Sequence, residues 1–429
     1  MVKVGVVGLW HLGCVTSTCL ANLGYKVVGY DKDKEIIKNL ICGKAPILEP
    51  GLDESIKRNT NNLRLQFTTN MEEAVTGADY VLLTIDTPVD EQDRVDLTSV
   101  YDAINEISRF ITNKVLIIVQ SQVPVGTCDD FLKILKQKRP NVEFGLAYCP
   151  ENLRLGKAIE TFEKPDRIII GSNNKQTANK VKSFFNVIDC PKIIMSLKAA
   201  EMTKHSVNAF LATCISFANW IGNLCEEMGV DTKKVIEGLM SERRIGNNLP
   251  LRAGLGFSGG TLGRDLRILE KLGKDYGKKS DLIESVLDIN HEQNILVVKK
   301  ILKIFNTLDG LTIGVLGLTY KAGTNTLRRS TSLEIIKELL KLNSKVNAYD
   351  PCITSVNSIL NKNFQLCNSP YLAVEEASIL LILTDWPEFQ ELDYNRIFAI
   401  MKKPIILDAK NFLNADELKS IGFDYKRLN

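Results

Sequence analysis

The chain has 429 residues, is 45% hydrophobic and 24% charged, and carries a formal net charge of only +3. It is too long for one hydrophobic core and has the composition of an ordinary soluble globular protein, so two or three domains are expected. Its lysines and arginines are scattered rather than massed, which argues against a nucleic-acid partner and leaves nucleotide-sized anions as ligands.

The N-terminus runs directly into a strand-like segment, Val2 to Val7, without the basic and apolar regions of a signal peptide. No uninterrupted apolar run approaches the roughly 20 residues of a membrane span. A cytoplasmic protein is therefore expected. The ten cysteines lie far apart with no C-x-x-C pair, which suits buried reduced thiols, and three scattered histidines give no reason to expect zinc.

From Met1 to about residue 195, β-branched runs alternate with helical patterns. The runs include Lys3 to Val7, Lys26 to Tyr30, Tyr80 to Thr84, Val115 to Val119 and Arg167 to Gly171. This alternation predicts a parallel sheet covered by helices. A long helix without proline follows from about Ser196 to Gly229, with Ala199, Ala200, Ala209, Ala212, Ala218 and Ile221 on several faces. Such a helix suits a spine between domains or a dimer seam. Strand-like runs then return at Thr312 to Leu316, Lys345 to Tyr349, Ser378 to Leu383 and Pro404 to Asp408. The expected fold is α/β: two Rossmann-like doubly wound domains, residues 1–195 and 301–429, joined by the long helix within a helical middle domain, 196–300. A cleft between the two nucleotide-binding folds is the expected ligand site.

Gly8-Leu9-Trp10-His11-Leu12-Gly13 follows the first strand and opens a helix, and Asp31 ends the second strand. That is the context of a dinucleotide fingerprint, in which helix N–H groups meet the pyrophosphate and the acid accepts a ribose hydroxyl. Asp31 selects NAD over NADP, whose 2′-phosphate it would repel. Trp10 occupies the position of the middle glycine, which normally lets the backbone approach the pyrophosphate. The indole must turn outward or displace the cofactor. A degenerate turn that binds nothing is the competing reading.

Further segments run along most of the chain: Gly43 to Gly51 (G-K-A-P-I-L-E-P-G), Thr87-Pro88 with Asp96-Leu97, Cys149-Pro150-Glu151, and Glu201 to Asn208 as E-x-x-K-x-x-x-N. They continue with Arg244-Ile245-Gly246, the glycine-rich stretch Gly254 to Asp265, Gly317 to Lys321 with Thr324 and Arg328, Tyr349-Asp350-Pro351, and Thr384-Asp385-Trp386. In order and spacing they resemble the UDP-glucose/GDP-mannose dehydrogenase family, the nucleotide-sugar 6-dehydrogenases.

The resemblance implies an NAD-dependent enzyme acting on a nucleotide sugar, a homodimer through the central helical region, and a set of site residues. Lys204 would stabilise negative charge on the sugar oxygen, with Asn208 and Asp265 positioning the base or water and Glu151 beside them. Lysine suits that role as a compact cation with three donors, and the four-residue spacing puts Lys204 and Asn208 on one helix face. Substrate contacts would come from Glu151, Asn152, Leu153, Lys204, Asn208, Arg244, Phe257, Gly260 and Lys321, with Arg244 reaching into the neighbouring subunit's site. Cofactor contacts would come from Gly8, Trp10, His11, Leu12, Gly13, Asp31, Thr87, Pro88, Ser121, Gln122 and Arg328.

The chain departs from the family pattern at the reacting loop. Four residues before Asp265 the family has a cysteine, whose thiolate holds the aldehyde so that a second hydride can leave; here that residue is Thr261. A threonine hydroxyl is a weak nucleophile without an adjacent base. Gln122 stands where the family has threonine, Leu155 where its glucose branch has a carboxylate, Gly263-Arg264 replace proline and lysine, and Asn325-Thr326 replace an Asp pair. Cys149 is not read as a relocated nucleophile, because a Cys before P-E accompanies the usual loop cysteine elsewhere in the family. The expected reaction is a two-electron oxidation that stops at, or reverses through, a carbonyl. Four-electron oxidation without a thioester and a catalytically silent nucleotide-sugar-binding homologue are the alternatives.

Overall fold

The computed structural model describes residues 2–90, 94–151, 153–257, 260–356, 358–359 and 361–429. They form two compact units, Met1–Ser206 and Val207–Asn429. The boundary falls within the helix Leu197–Met228, which occupies nearly the span read from the proline-free stretch.

The first unit is built on strands β1 (Lys3–Val7), β2 (Lys26–Tyr30), β3 (Leu65–Thr68), β4 (Tyr80–Leu83), β5 (Val115–Val119), β6 (Phe144–Tyr148), β7 (Ile168–Gly171) and β8 (Lys192–Met195). They lie in the order β3-β2-β1-β4-β5-β6-β7-β8. Pairing is parallel except between β6 and β7, which meet antiparallel at Tyr148 and Gly171. Among the described residues, only the short helix Ala158–Glu163 lies between those two strands, in place of a full crossover that would return the chain for a parallel neighbour. Alternate residues feed two apolar layers: Val4, Val6, Leu82 and Ile118 pack on one face, Val7, Val81, Leu83 and Ile117 on the other. Burial on both faces explains why these strands read as continuous apolar runs.

The second unit holds β9 (Thr312–Leu316), β10 (Lys345–Tyr349), β11 (Phe364–Leu366), β12 (Ile379–Ile382), β13 (Ile405–Asp408) and β14 (Asp424–Arg427). All pair in parallel, in the order β11-β10-β9-β12-β13-β14. Helices Thr232–Met240, Gly260–Asp275 and Asp281–Phe305 precede this sheet. Ala209, Ala212, Leu266 and Val286 form a small apolar centre against which Phe257 and Leu262 pack. In both sheets the strand order reverses beside the first strand of the unit, which opens a crevice at the carboxyl ends of β1 and β4 and of β9 and β12.

Candidate functional site

At the β1–β4 crevice, Gly8 takes φ +96°, a left-handed conformation that turns the chain sharply from strand to helix. The helix His11–Asn22 begins two residues after Leu9. A side chain at Gly13 would meet the Gly8 carbonyl oxygen at 1.7 Å, so this glycine lets helix and strand pack closely. Asp31, at the end of β2, accepts from the Leu9 N–H at 2.7 Å and the Asp33 N–H at 3.0 Å. The Thr84 hydroxyl donates to the Gly8 carbonyl at 2.7 Å.

Trp10 sits at the N-cap of that helix with φ −74° and ψ −159°, extended backbone that needs no glycine, and it is 39% exposed. The indole therefore does not fill the protein interior. The helix start, the Gly8 turn and Asp31 all fit a dinucleotide; the Trp10 side chain stands at the position where close pyrophosphate approach normally meets a glycine. Leu12 is half-buried and Gly13 buried. The His11 Nε2 lies 2.9 Å from Glu49 Oε2. Glu49 also accepts from the N–H groups of Gly156 (2.9 Å) and Ala158 (2.8 Å). Burial pushes its carboxyl up, but the bonds from His11, Ala158 and Gly156 together outweigh it and hold Glu49 below the ordinary glutamate range. Glu49 was visible in the sequence only as one letter of a motif; its role as a tie between three segments is a structural finding.

Thr87 is buried and donates to the Gln122 carbonyl at 3.0 Å, while Pro88 is exposed. Ser121 is fully buried, its hydroxyl 3.2 Å from the Leu83 carbonyl, and Gln122 is half-buried. Glu201 is also fully buried and accepts from Gly126 N–H at 2.6 Å and Cys128 N–H at 2.8 Å, at the start of helix Thr127–Lys138. Burial raises its carboxyl above the ordinary value, offset in part by those two N–H groups. One turn on, His205 Nε2 lies 3.0 Å from the Val123 carbonyl, and Lys204 donates to the Glu151 carbonyl. Glu151 is half-buried; Leu153 packs on the first apolar layer; Asn152 lies outside the described residues. Cys149 is 3% exposed, its thiol pushed well up by burial and by the Glu151 charge. All ten cysteines are free, and Cys42 alone is exposed.

In the second unit Asn208 donates to Asp265, and both are buried, Asp265 completely. Gly260 opens helix Gly260–Asp275; Thr261 is exposed on its first turn, and Asp265 follows one turn later. Phe257 is half-buried. Arg244 has a side chain 87% exposed and paired at 3.1 Å with Glu242. Lys321 and Arg328 are exposed, and the Thr324 hydroxyl caps the Lys321 carbonyl at 2.8 Å. Asp350 ends β10 and is 2% exposed. One of its oxygens accepts from Leu318 N–H (2.8 Å), Thr319 N–H (2.9 Å), the Thr319 hydroxyl (3.0 Å) and Trp386 Nε1 (3.1 Å). The unit also contains a cavity of about 1360 Å³, whose wall includes Arg252, Lys300, Asp385, Lys410, Asn411 and Arg427.

No helix among the described residues is long and apolar enough to cross a membrane. The chain matches three domain descriptions of the UDP-glucose/GDP-mannose dehydrogenase family: the NAD binding domain over residues 2–189, the central domain over 198–292 and the UDP binding domain over 314–415. It is 36% identical over 430 residues to UDP-glucose 6-dehydrogenase TuaD of Bacillus subtilis, covering all of this chain and 93% of that protein. It is likewise 36% identical to a UDP-glucose 6-dehydrogenase of Rickettsia bellii, over 99% of this chain and 98% of that one. Among solved structures it resembles a UDP-glucose dehydrogenase from Pyrobaculum islandicum with a TM-score of 0.91 and 31% identity, covering 100% and 96% of the two chains. The dinucleotide crevice, the E-x-x-K-x-x-x-N helix and these likenesses over the full length agree: the chain belongs to the UDP-glucose/GDP-mannose dehydrogenase family, whose cofactor is NAD.

Proposed function

We propose that the protein withdraws a single hydride from a nucleotide-activated sugar, a UDP-sugar in the first instance, and releases a carbonyl product. The observation that carries this reading is Thr261 on the first turn of the helix that bears Asp265, with Cys149 buried and its thiol held protonated. NAD, when bound, accepts the hydride. Lys204, held at the Glu151 carbonyl, stabilises the sugar oxygen as its hydroxyl proton leaves. Asn208 donates to Asp265 and orients that carboxylate toward the water or base that takes the proton.

Asp31, the Gly8–Gly13 turn, Thr87, Pro88, Ser121, Gln122 and Arg328 are proposed for the cofactor. Arg244, Phe257, Gly260 and Lys321 are proposed for the sugar nucleotide. Arg252 and Lys410, both on the wall of the large cavity, add cations suited to a diphosphate. The same machinery run in both directions would give an epimerase-like reaction. Trp10 favours a second reading, a homologue that binds the nucleotide sugar without turning it over.

Purified protein incubated with NAD and a panel of UDP-, GDP- and dTDP-sugars decides among these readings. One NADH per molecule of aldehyde or ketone is expected. A uronic acid with two NADH per sugar, found by mass spectrometry, would replace the reading with four-electron oxidation. Absence of NADH with every sugar, alongside sugar binding, would favour the silent homologue.

A homodimer through the helix Leu197–Met228 is part of the proposal. Phe210, Phe217, Trp220, Leu224 and Met228 are exposed at 42–73%. Phe210, Phe217 and Leu224 recur every seven residues, which places them along one stripe. An apolar stripe of this length on one helix marks a contact surface, and the outward Arg244 suits a side chain that completes a partner's site.

A further inference from the structure

The backbone that leads into helix Gly260–Asp275 is held by side-chain amides from elsewhere in the second unit. Asn219 accepts from Gly254 N–H at 2.9 Å and donates to the Leu255 carbonyl at 3.4 Å. Gln293 donates to the Gly254 carbonyl at 2.6 Å. Asn290 accepts from Phe257 N–H at 2.6 Å and donates to the Phe257 carbonyl at 3.1 Å. Asn411 donates to the Ala253 carbonyl at 3.0 Å, and Leu255 N–H donates to the Ala409 carbonyl at 3.0 Å.

The amides are themselves braced. Asn223 donates to Gln293 Oε1 at 3.0 Å, and Asn429 donates to Asn223 Oδ1 at 2.9 Å. Asn219 and Gln293 are completely buried. A side chain at Gly256 would meet Asn290 Oδ1 at 2.4 Å, so the glycine makes room for Asn290 to lie along the chain. Every bond here is between neutral groups. A side-chain amide donates and accepts at once with the same groups as a peptide unit, so it can stand in for a neighbouring strand. A segment with no strand partner thus receives the backbone pairing that a sheet would give.

We propose that Asn219, Asn290 and Gln293 are positioning residues that fix residues 253–257 before ligand binds, and with them the start of the helix carrying Thr261 and Asp265. This rests on the reading that the sugar reacts beside that helix. The protein then spends no binding energy on closing the segment, and its turnover depends on the amides although none of them touches the reacting atoms.

The test uses the full chain with Asn290→Asp, which keeps the acceptor for Phe257 N–H but loses the donor to its carbonyl, and Gln293→Met, which loses the donor to the Gly254 carbonyl and the acceptor for Asn223. Hydrogen exchange of the backbone amides at 253–257 is followed alongside kcat and KM, with UDP-glucose and UDP-N-acetylmannosamine as probes. Exchange at these amides should quicken about tenfold or more while the rest of the chain is unchanged. kcat should fall roughly 10- to 100-fold with KM little moved. If Gln293→Met does not fold, Asn290→Asp, at a half-buried position, carries the test. Unchanged exchange overturns the proposal, and so does faster exchange with an unchanged kcat. A wild-type protein that makes no NADH from either sugar would sink the dehydrogenase reading but leave the exchange measurement to decide whether the amides hold the segment.

Discussion

Asp350 stands in the second sheet where Asp31 stands in the first: each ends the strand beside the central one and accepts the N–H of the leucine that follows the turn glycine, Leu318 and Leu9. The turn glycines have nearly the same φ, +97° at Gly317 and +96° at Gly8. Their surroundings differ. Asp350 is 2% exposed and covered by the Trp386 indole, whereas Asp31 remains half-exposed. The first carboxylate can still take a ribose hydroxyl, and the second is spent on its own fold.

The two acids therefore separate binding from stability. Asp31→Ala should weaken NAD about 10- to 100-fold, the loss of a hydrogen bond to a charged group, and, because it frees the Leu9 and Asp33 N–H groups at a half-exposed site, lower Tm by less than Asp350→Ala does. Asp350→Ala should strand Leu318 N–H and Thr319 N–H, leave Trp386 Nε1 with the Thr319 hydroxyl alone, and lower Tm by roughly 5–10 °C. Calorimetric titration and thermal melts of both variants check the contrast.

Lys204→Ala should cut turnover by roughly 100- to 1000-fold, the usual effect of removing a charge-stabilising group. Sugar affinity should change little. Steady-state kinetics beside equilibrium binding makes the comparison, and an unchanged kcat would move the chemistry elsewhere.

Trp10→Gly should bind NAD more tightly than the wild type, because the side chain stands where a pyrophosphate normally meets bare backbone. Isothermal titration of both proteins measures this. Equal affinities would show that the outward indole costs nothing.

Glu201 makes stability depend on pH with a definite sign. Its folded-state pKa lies above the unfolded value, so the folded protein holds the proton more tightly. The stabilising contribution is complete below the unfolded value of about 4.3 and is lost as pH rises through the folded one. Glu201→Gln removes that dependence. The Tm difference, variant minus wild type, should grow as pH rises from about 4 and then level off. A constant difference across the series would contradict the assignment.

Phe217→Glu places a charge in the middle of the apolar stripe on helix Leu197–Met228. If the proposed homodimer forms through this stripe, sedimentation should show the variant shifted toward monomer relative to the wild type, with the fold intact by circular dichroism. A dimer of unchanged stability would place the subunit contact elsewhere.

Much of the fold was legible because buried parallel strands are apolar on both faces. All nine runs picked from the sequence are strands, with ends shifted by no more than two residues. Strands β3, β6, β8, β11 and β14 were not among them: β8 has two exposed isoleucines, and β11 is three residues long. In the site, spacing showed that Lys204 and Asn208 lie one helical turn apart, but not that Asn208 bonds to Asp265, 57 residues away. The amides around Gly254 leave no periodic trace, since Asn and Gln occur in loops and on helix surfaces everywhere. Glu49 and Glu201 were visible as motif letters, while their carboxylates' N–H partners depend on folded loops.

The burial of the thiols bears on how the protein meets oxidants. Chemistry that depends on a loop thiolate is lost when peroxide converts it to a sulfenic or sulfinic acid, or when an electrophile alkylates it. Thr261 offers a secondary alcohol at that place, which has no such oxidation ladder and does not alkylate at neutral pH. Cys14, Cys19, Cys128 and Cys149 are closed off in the first unit with their thiols held protonated. With those four thiols enclosed and oxygen rather than sulfur at Thr261, the proposed chemistry would survive an oxidant that silences a thiolate-dependent relative, and Cys42 is the thiol left open to modification.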